Sequence, residues 1–439
     1  MLKVGFGRVC ITPDFPVCLA GGGLPTRLHT KVLDDVYVTC VAFTDENGQS
    51  SLLFTQDLVA TLDASTHPIR QQLVEMTGIP GEYIQFAATH THSAPTTYPG
   101  GHGREEFMAI YELAVLQAAR EALADQSEAT ALAGQTRAKG MTFVRRYKLA
   151  DGTYEGASGN TSTCKELVEH VYPSDETLQM IRFVRKDKKD VLLCNLGAHA
   201  TFNGATSKTG LSADFPGAIR DCIEARQACL VAYFIAAAGD QTPNSRMKSD
   251  NHGLNYRQYG DRIGQLICEA MPTLQPIRTG PIKVNSGVST IPTNRVNLHR
   301  LEDAKAVWQL FREVGFKEST PVAHAQGFAS VYEAFSIVRH ANLPESMDIG
   351  VNVMAMGDIS FIFASYEMYS ENARFVRENS CYPMTFVSTL ANGNNGYLPS
   401  DIGYEINCYE AYISNVGRGA GEQMAELFLQ LLQEMKEEN

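Results

Sequence analysis

His90 and His92 stand two apart where the apolar run Tyr83–Ala88 ends, just before a break at Pro95, and are the pair in this chain best placed to do chemistry. With the period of a strand, residues two apart share a face. Both imidazoles can then point into one cleft, one ligating a metal and the other handling protons. His199 repeats the placement at the end of the run VLLCNLGAHATFNG. A third run, LVAYFIAAAGDQTPN, ends in Gly239, Asp240, Gln241, Thr242, Pro243 and Asn244, a cluster whose plain reading is a strand exit. Glu367 lies just beyond another apolar run and before a helical pattern that begins near Ser370. A carboxylate there serves a helix dipole as readily as a cation. Tyr397, Tyr404 and Tyr409 sit in the Gly/Asn-rich stretch ANGNNGYLPSDIGYEINCYEA, where phenols bonded to backbone would account for them.

The elements that must carry these residues are strands in the main. Strand-like runs cover Val36–Phe43, Ser51–Phe54, Tyr83–Ala88, Gln179–Val184, Val191–Leu196, Leu230–Ala236, Val351–Met356 and Ile359–Ala364. Helical stripes alternate with them: Phe107, Tyr111, Ala114, Val115, Ala118 and Ala122, then Met424, Leu427, Phe428, Leu431 and Met435 near the carboxyl end. Such stripes face a sheet. The pattern predicts a mixed, layered α/β domain. No linker-like, low-complexity or repeated tract divides it, so residues 1–439 read as one domain.

Composition narrows the function. The chain has 44% hydrophobic and 20% charged residues, the balance of a folded protein with a large core. Its 37 basic against 49 acidic residues leave a formal charge of −12, which repels nucleic acid and anionic lipid surfaces. Nucleic acid is excluded as a partner on that ground. The amino terminus has no signal-peptide pattern. The longest uncharged apolar run, Ala228–Ala238, is too short to span or insert stably in a membrane. Ten cysteines without a C-x-x-C pair suit free thiols in a reducing compartment, so a cytoplasmic location is expected.

Taken in order, five of these stretches resemble the neutral ceramidase family, the neutral/alkaline amidases that hydrolyse the N-acyl bond of ceramide. VGFGRVCITPD resembles the family's opening, with Cys10 where an acidic residue is usual; THTHSAP, GAHATFN, GDQTPN and NGYLPSDIGYEINCYEA resemble its later motifs. The resemblance implies the catalytic α/β domain without a carboxyl-terminal β-sandwich. It also implies that His90, His199, Glu367 and Tyr397 ligate zinc. Imidazole and oxygen donors suit that ion, which lowers the pKa of a bound water from roughly 16 to about 7. His92 is then implied as an acid/base, Tyr409 as a donor to the oxyanion, and Arg145, in preference to Arg146, as the arginine that meets substrate. Thr242 occupies the family's serine position. The expected substrate is an N-acylated small molecule or ceramide-like lipid. The segments SGNTSTCKELVEH and YPGGHGREE are expected at the cleft entrance. An esterase, lyase or isomerase would use the same ligands, while a silent binding protein would be expected to have lost one of them.

Overall fold

Runs of buried β-branched and aromatic residues too short for helices form the centre of the molecule. The structure, a computed structural model, describes residues 1–21, 27–156, 166–203, 207–247 and 249–437. Eight strands make the large sheet: β1 (Lys3–Cys10), β2 (Tyr37–Thr44), β3 (Ser50–Gln56), β4 (Ile84–Ala88), β5 (Ser127–Arg137), β6 (Thr177–Arg185), β7 (Asp190–Leu196) and β8 (Cys229–Ile235). Their spatial order is β8-β7-β6-β5-β1-β2-β3-β4, and a ninth, β9 (Gln275–Ile277), pairs with β5. Only the outermost pairs, β3/β4 and β7/β8, are parallel. Each needs a crossover helix, supplied by α1 (Asp63–Thr77) and α3 (Asp214–Arg226). The stripe expected near Phe107 is α2 (Arg104–Ala124), packed on the sheet with α1 in one apolar cluster. Beyond β8, α4 (Tyr256–Ala270) packs on α3.

A second sheet covers the other face. It contains β10 (Ile282–Pro292), β11 (Ser346–Met356), β12 (Ile359–Ala364) and β14 (Met384–Thr389). Between β10 and β11 the chain makes a helical excursion: α5 (Leu301–Val314), α6 (Phe316–Ala325) and α7 (Val331–His340). Between β12 and β14 come β13 (Glu367–Met368) and α8 (Ser370–Asn379), so that β12 and β14 run parallel. A last short strand, β15 (Tyr397–Leu398), pairs with β13, and α9 (Ala420–Glu437) closes the layer.

The two sheets are joined by apolar packing and a few buried amides. Phe234 on β8 meets Phe386 on β14 edge-on at 5.7 Å. Asn195 donates to the Val387 carbonyl (2.7 Å) and Gln179 to that of Thr385 (2.8 Å). Although β4 and β8 end the strand order, Ala88, Ile235, Ala238 and Leu390 share one buried cluster. The carboxyl ends of β4, β7, β8 and β14 thus open on the same region, the place where ligands bind in sheets with parallel strands.

Asp57, at the end of β3, is structural. Its carboxylate accepts from Tyr37 N (3.0 Å) and pairs with Arg220 Nη1 of α3 at 2.9 Å, both side chains being buried. Arg220→Met strands that carboxylate. The expected cost is about 3–5 kcal/mol, read as a lower urea midpoint, with part recovered when Asp57→Asn is added.

Candidate metal centre

His90 is reached by a strained turn. It has φ 65°, the left-handed region that residues other than glycine rarely adopt and that recurs at functional sites. Hydrogen bonds on either side impose it: Thr89 N donates to the Gln56 carbonyl and Thr91 Oγ1 to that of Ser212, both at 2.8 Å. His90 and His92 lie just past β4. Their convergence therefore comes from this turn, where the sequence pattern suggested the period of a strand. His199 follows β7 and is 1% exposed. Glu367 opens β13 directly beside Tyr397 of β15 in parallel register.

Three imidazoles meet here. The ring centroids of His90 lie 4.6 Å from those of His92 and of His199. Each Nδ1 is within hydrogen-bond reach of a carbonyl: Val59 for His90 (2.7 Å), Gly21 for His92 (3.0 Å), Ala238 for His199 (2.6 Å). A carbonyl only accepts, so each Nδ1 carries the proton and each Nε2 presents a lone pair. Those lone pairs are turned on one another and on a carboxylate. His90 Nε2 is 3.2 Å from His92 Nε2 and 3.4 Å from Glu367 Oε2, and His199 Nε2 is 3.0 Å from the same oxygen. Among the described residues, His199 Nε2 and Glu367 Oε2 are buried without a hydrogen-bond partner. Acceptors facing acceptors with no proton between them fit a divalent cation with nitrogen and oxygen ligands, and the donor atoms of the three histidines lie within 4.8 Å of one another.

The electrostatics keep these groups ready for a cation. Burial and then the neighbouring His90 and His199 hold His92 well below the usual imidazole range. Burial, followed by Arg145, pushes His199 down to about 4. Tyr409, pushed up to about 12 by burial, keeps its phenolic proton near neutrality.

The cluster opens on a cleft of about 370 Å³ lined by His90, His92, Glu367, Tyr397, Tyr409 and Tyr98 among others. Arg145 sits behind it. Its Nη2 donates to Tyr397 OH (3.0 Å) and to the Gly239 carbonyl (2.7 Å), and is 2.8 Å from Glu410 Oε1. Arg146, 1% exposed, is paired with the other oxygen of Glu410. Of the adjacent arginines, Arg145 is thus the one that touches the cluster. Thr242 is half-buried on a two-residue strand opposite Phe143, outside the cleft lining. Tyr404 bonds the Val416 carbonyl, the plain reading of a loop phenol. Tyr98 and Pro99 border the cleft, and His102 is exposed. Residues 157–165, holding most of SGNTSTCKELVEH, lie outside the described residues.

Several further residues support the cluster. The turn after β8 is more than an exit. Asp240 accepts from Ser370 N (2.8 Å) and Ser370 Oγ (2.6 Å), fixing the start of α8 just after Glu367, and Gln241 donates to the Gly197 carbonyl (2.7 Å) below His199. Glu410, fully buried, pairs with two arginines; the tandem Arg145-Arg146 inside an apolar stretch was the signal that a buried carboxylate would meet them. Arg27 donates to the His92 carbonyl at 2.7 Å. Gly21 and Gly239 are required by space. A Cβ on Gly21 would lie 2.5 Å from the His92 ring, and one on Gly239 2.3 Å from the Glu367 carbonyl oxygen.

No protein-family model and no curated protein matches the sequence. Two solved structures are similar over 100% of this chain: one described as a ceramidase complexed with C2, at TM-score 0.75, and neutral ceramidase from Pseudomonas aeruginosa, at TM-score 0.73. Each is 15% identical and is covered over 75% of its own chain. At that identity the likeness shows the fold, a mixed α/β architecture shared with neutral ceramidases.

Two outcomes follow from the packing and the charges. Gly239→Ala displaces Glu367 without altering a candidate ligand, and is expected to lower the metal held per chain and to destabilise the fold by about 1–3 kcal/mol, read as a lower urea midpoint. In metal-free protein the unfolded chain, with histidine near 6.5, binds protons that His199 in the fold refuses until about 4. Stability conferred by neutral His199 is present above about pH 6.5 and is lost as pH falls through that window. Urea midpoints at pH 7 and pH 5 are expected to differ less in His199→Asn than in the parent.

Proposed function

We propose that this chain, which has the neutral ceramidase fold, is a zinc-dependent amidohydrolase acting on an N-acylated small molecule or ceramide-like lipid. The observation that carries the reading is the convergence of the His90, His92 and His199 Nε2 atoms with Glu367 Oε2, unshared by any proton, at the base of a cleft. His90, His199, Glu367 and Tyr397 would hold the ion. When bound, zinc supplies Lewis acidity that makes water nucleophilic near neutral pH.

The chain's own residues divide the remaining work. His92 is neutral at pH 7 and lines the cleft, its Nδ1 fixed on the Gly21 carbonyl. Its Nε2 takes a proton from the attacking water and returns it to the leaving amine. Tyr409 keeps its proton and lines the same cleft, where it donates to the oxyanion as the carbonyl becomes tetrahedral. Arg145 orients Tyr397 through the 3.0 Å hydrogen bond and adds positive charge beside the developing anion. Thr242, paired with Phe143 away from the cleft, takes no part in the chemistry. The acidic balance and the buried free thiols support a cytoplasmic setting; among the described residues no helix is long and apolar enough to cross a membrane.

Glu367→Gln tests the assignment. Zinc content and amide turnover are expected to fall together, turnover by more than the roughly 10–100-fold typical of residues outside the ligand shell. Turnover that survives the loss of zinc would sink the reading. A panel of short soluble N-acyl amides and a short-chain ceramide, each run with and without chelator, reads the substrate class.

A further inference from the structure

The turn that carries His90 and His92 is gripped by one serine of a distant segment. Ser212, fully buried, meets the residues on both sides of His92. Its N donates to the Ser93 carbonyl at 2.9 Å, and its carbonyl accepts from Thr91 Oγ1 at 2.8 Å. Thr91 Oγ1 also accepts from Ser93 N (3.2 Å), which closes the turn on itself. His92 N donates to the Ala200 carbonyl (3.0 Å), one residue past His199. The place of the two imidazoles is therefore fixed from outside the turn, with Ser212 as the point of attachment.

Ser212 is itself held by a carboxylate. Its Oγ accepts from Asp214 N (2.8 Å) and donates to Asp34, lying 2.9 and 2.8 Å from the two carboxylate oxygens. Ala213 N donates to Asp34 as well, at 2.7 Å. Tyr256 OH, at the start of α4, is a further donor, and Arg257 Nη2 lies 3.9 Å away. Beside this group Lys31–Val32 pairs in parallel with Gly210–Leu211, and Leu33 N donates to the Leu211 carbonyl (2.9 Å). Hydrogen bonds to an ionised carboxylate are stronger than those between neutral groups, so Asp34 is the charged anchor of the junction. Asp34 is outside the cleft lining and outside the group of converging donors. Its effect on the cluster must pass through Ser212. Such remote support counts, because a site of this kind tolerates displacements of only about 0.5 Å.

We propose that Asp34 is a positioning residue: acting through Ser212, it sets the spacing of the His90 and His92 imidazoles on which the metal centre depends. The proposal rests on the metal reading for what the spacing serves, and on the hydrogen bonds alone for how it is set. Asp34→Asn in the full chain keeps the size of the side chain and removes its charge. Affinity for Zn²⁺, read by competition with a chromophoric chelator, is expected to fall at least about tenfold, the range of partners outside the ligand shell. The visible bands of the Co²⁺ form are expected to move with it. Asp45→Asn is the control for stability. That carboxylate is also buried and accepts from Asn47 N, Gln49 N and Ile282 N, but it lies in the turn between β2 and β3, at the end of β3 away from the cluster. It is expected to lower the urea midpoint of the metal-free chain and to leave Zn²⁺ affinity and the Co²⁺ bands as in the parent. Ser212→Ala, which retains both main-chain bonds to the turn, is expected to weaken Zn²⁺ in the same direction, and to add little to Asp34→Asn, because residues that act through one link are not additive. Unchanged Zn²⁺ affinity in Asp34→Asn, an equal loss in Asp45→Asn, or an additive double variant would overturn the proposal. The imidazole Hε1 resonances of metal-free protein give a reading that needs no ion. Those of His90 and His92 are expected to shift in Asp34→Asn and Ser212→Ala but not in Asp45→Asn. A parent that takes up neither ion would remove the metal reading; shifted resonances would then sustain the link from Asp34 to the two imidazoles, and unmoved ones would overturn it.

Discussion

Lone pairs forced to face one another in a buried space are the constraint on which the rest of this structure depends. Three imidazole Nε2 atoms and a carboxylate repel at 3.0–3.4 Å unless a cation lies among them. The fold holds them there by occupying every Nδ1 with a backbone carbonyl. Because the partners are main-chain carbonyls, the tautomer and the ring direction of each imidazole are set by the backbone. The strained backbone of His90 is part of the same arrangement.

That arrangement requires chain ends that are remote in the strand order to meet. The curl of the large sheet brings β4 near β8, and the second sheet adds β12 and β14 with their own parallel direction. Gly239 and Asp240 then lock the exit of β8 onto Glu367 and α8, one by having no side chain and the other by capping. Behind this layer, Glu410 is shared by Arg145 and Arg146 in a buried group where removal of the carboxylate leaves two guanidinium charges without their partner. One arginine completes the group, and the other extends from it to Tyr397.

Much of this was legible from residues alone. The strand runs, the two helical stripes and the mixed α/β class follow from period and burial, and the structure places strands and helices there within a few residues. His90, His92, His199, Glu367 and Tyr397 stood out because each follows an apolar run or interrupts a loop, and the fold brings all five to one cluster. Tyr404, from the same loop as Tyr397, turned out to be a backbone-bonded phenol, since nothing local distinguishes two tyrosines seven residues apart.

Local pattern by itself determined which residue types lie at strand exits and that they carry imidazole, carboxylate and phenol, because those features depend on neighbours a few residues away. Tertiary structure alone decided which lone pairs meet, which of Arg145 and Arg146 reaches the cluster, and why glycine is needed at positions 21 and 239. Those facts depend on distances between segments tens to hundreds of residues apart. Such distances are set by the curl and packing of the sheets, which no short window of sequence records.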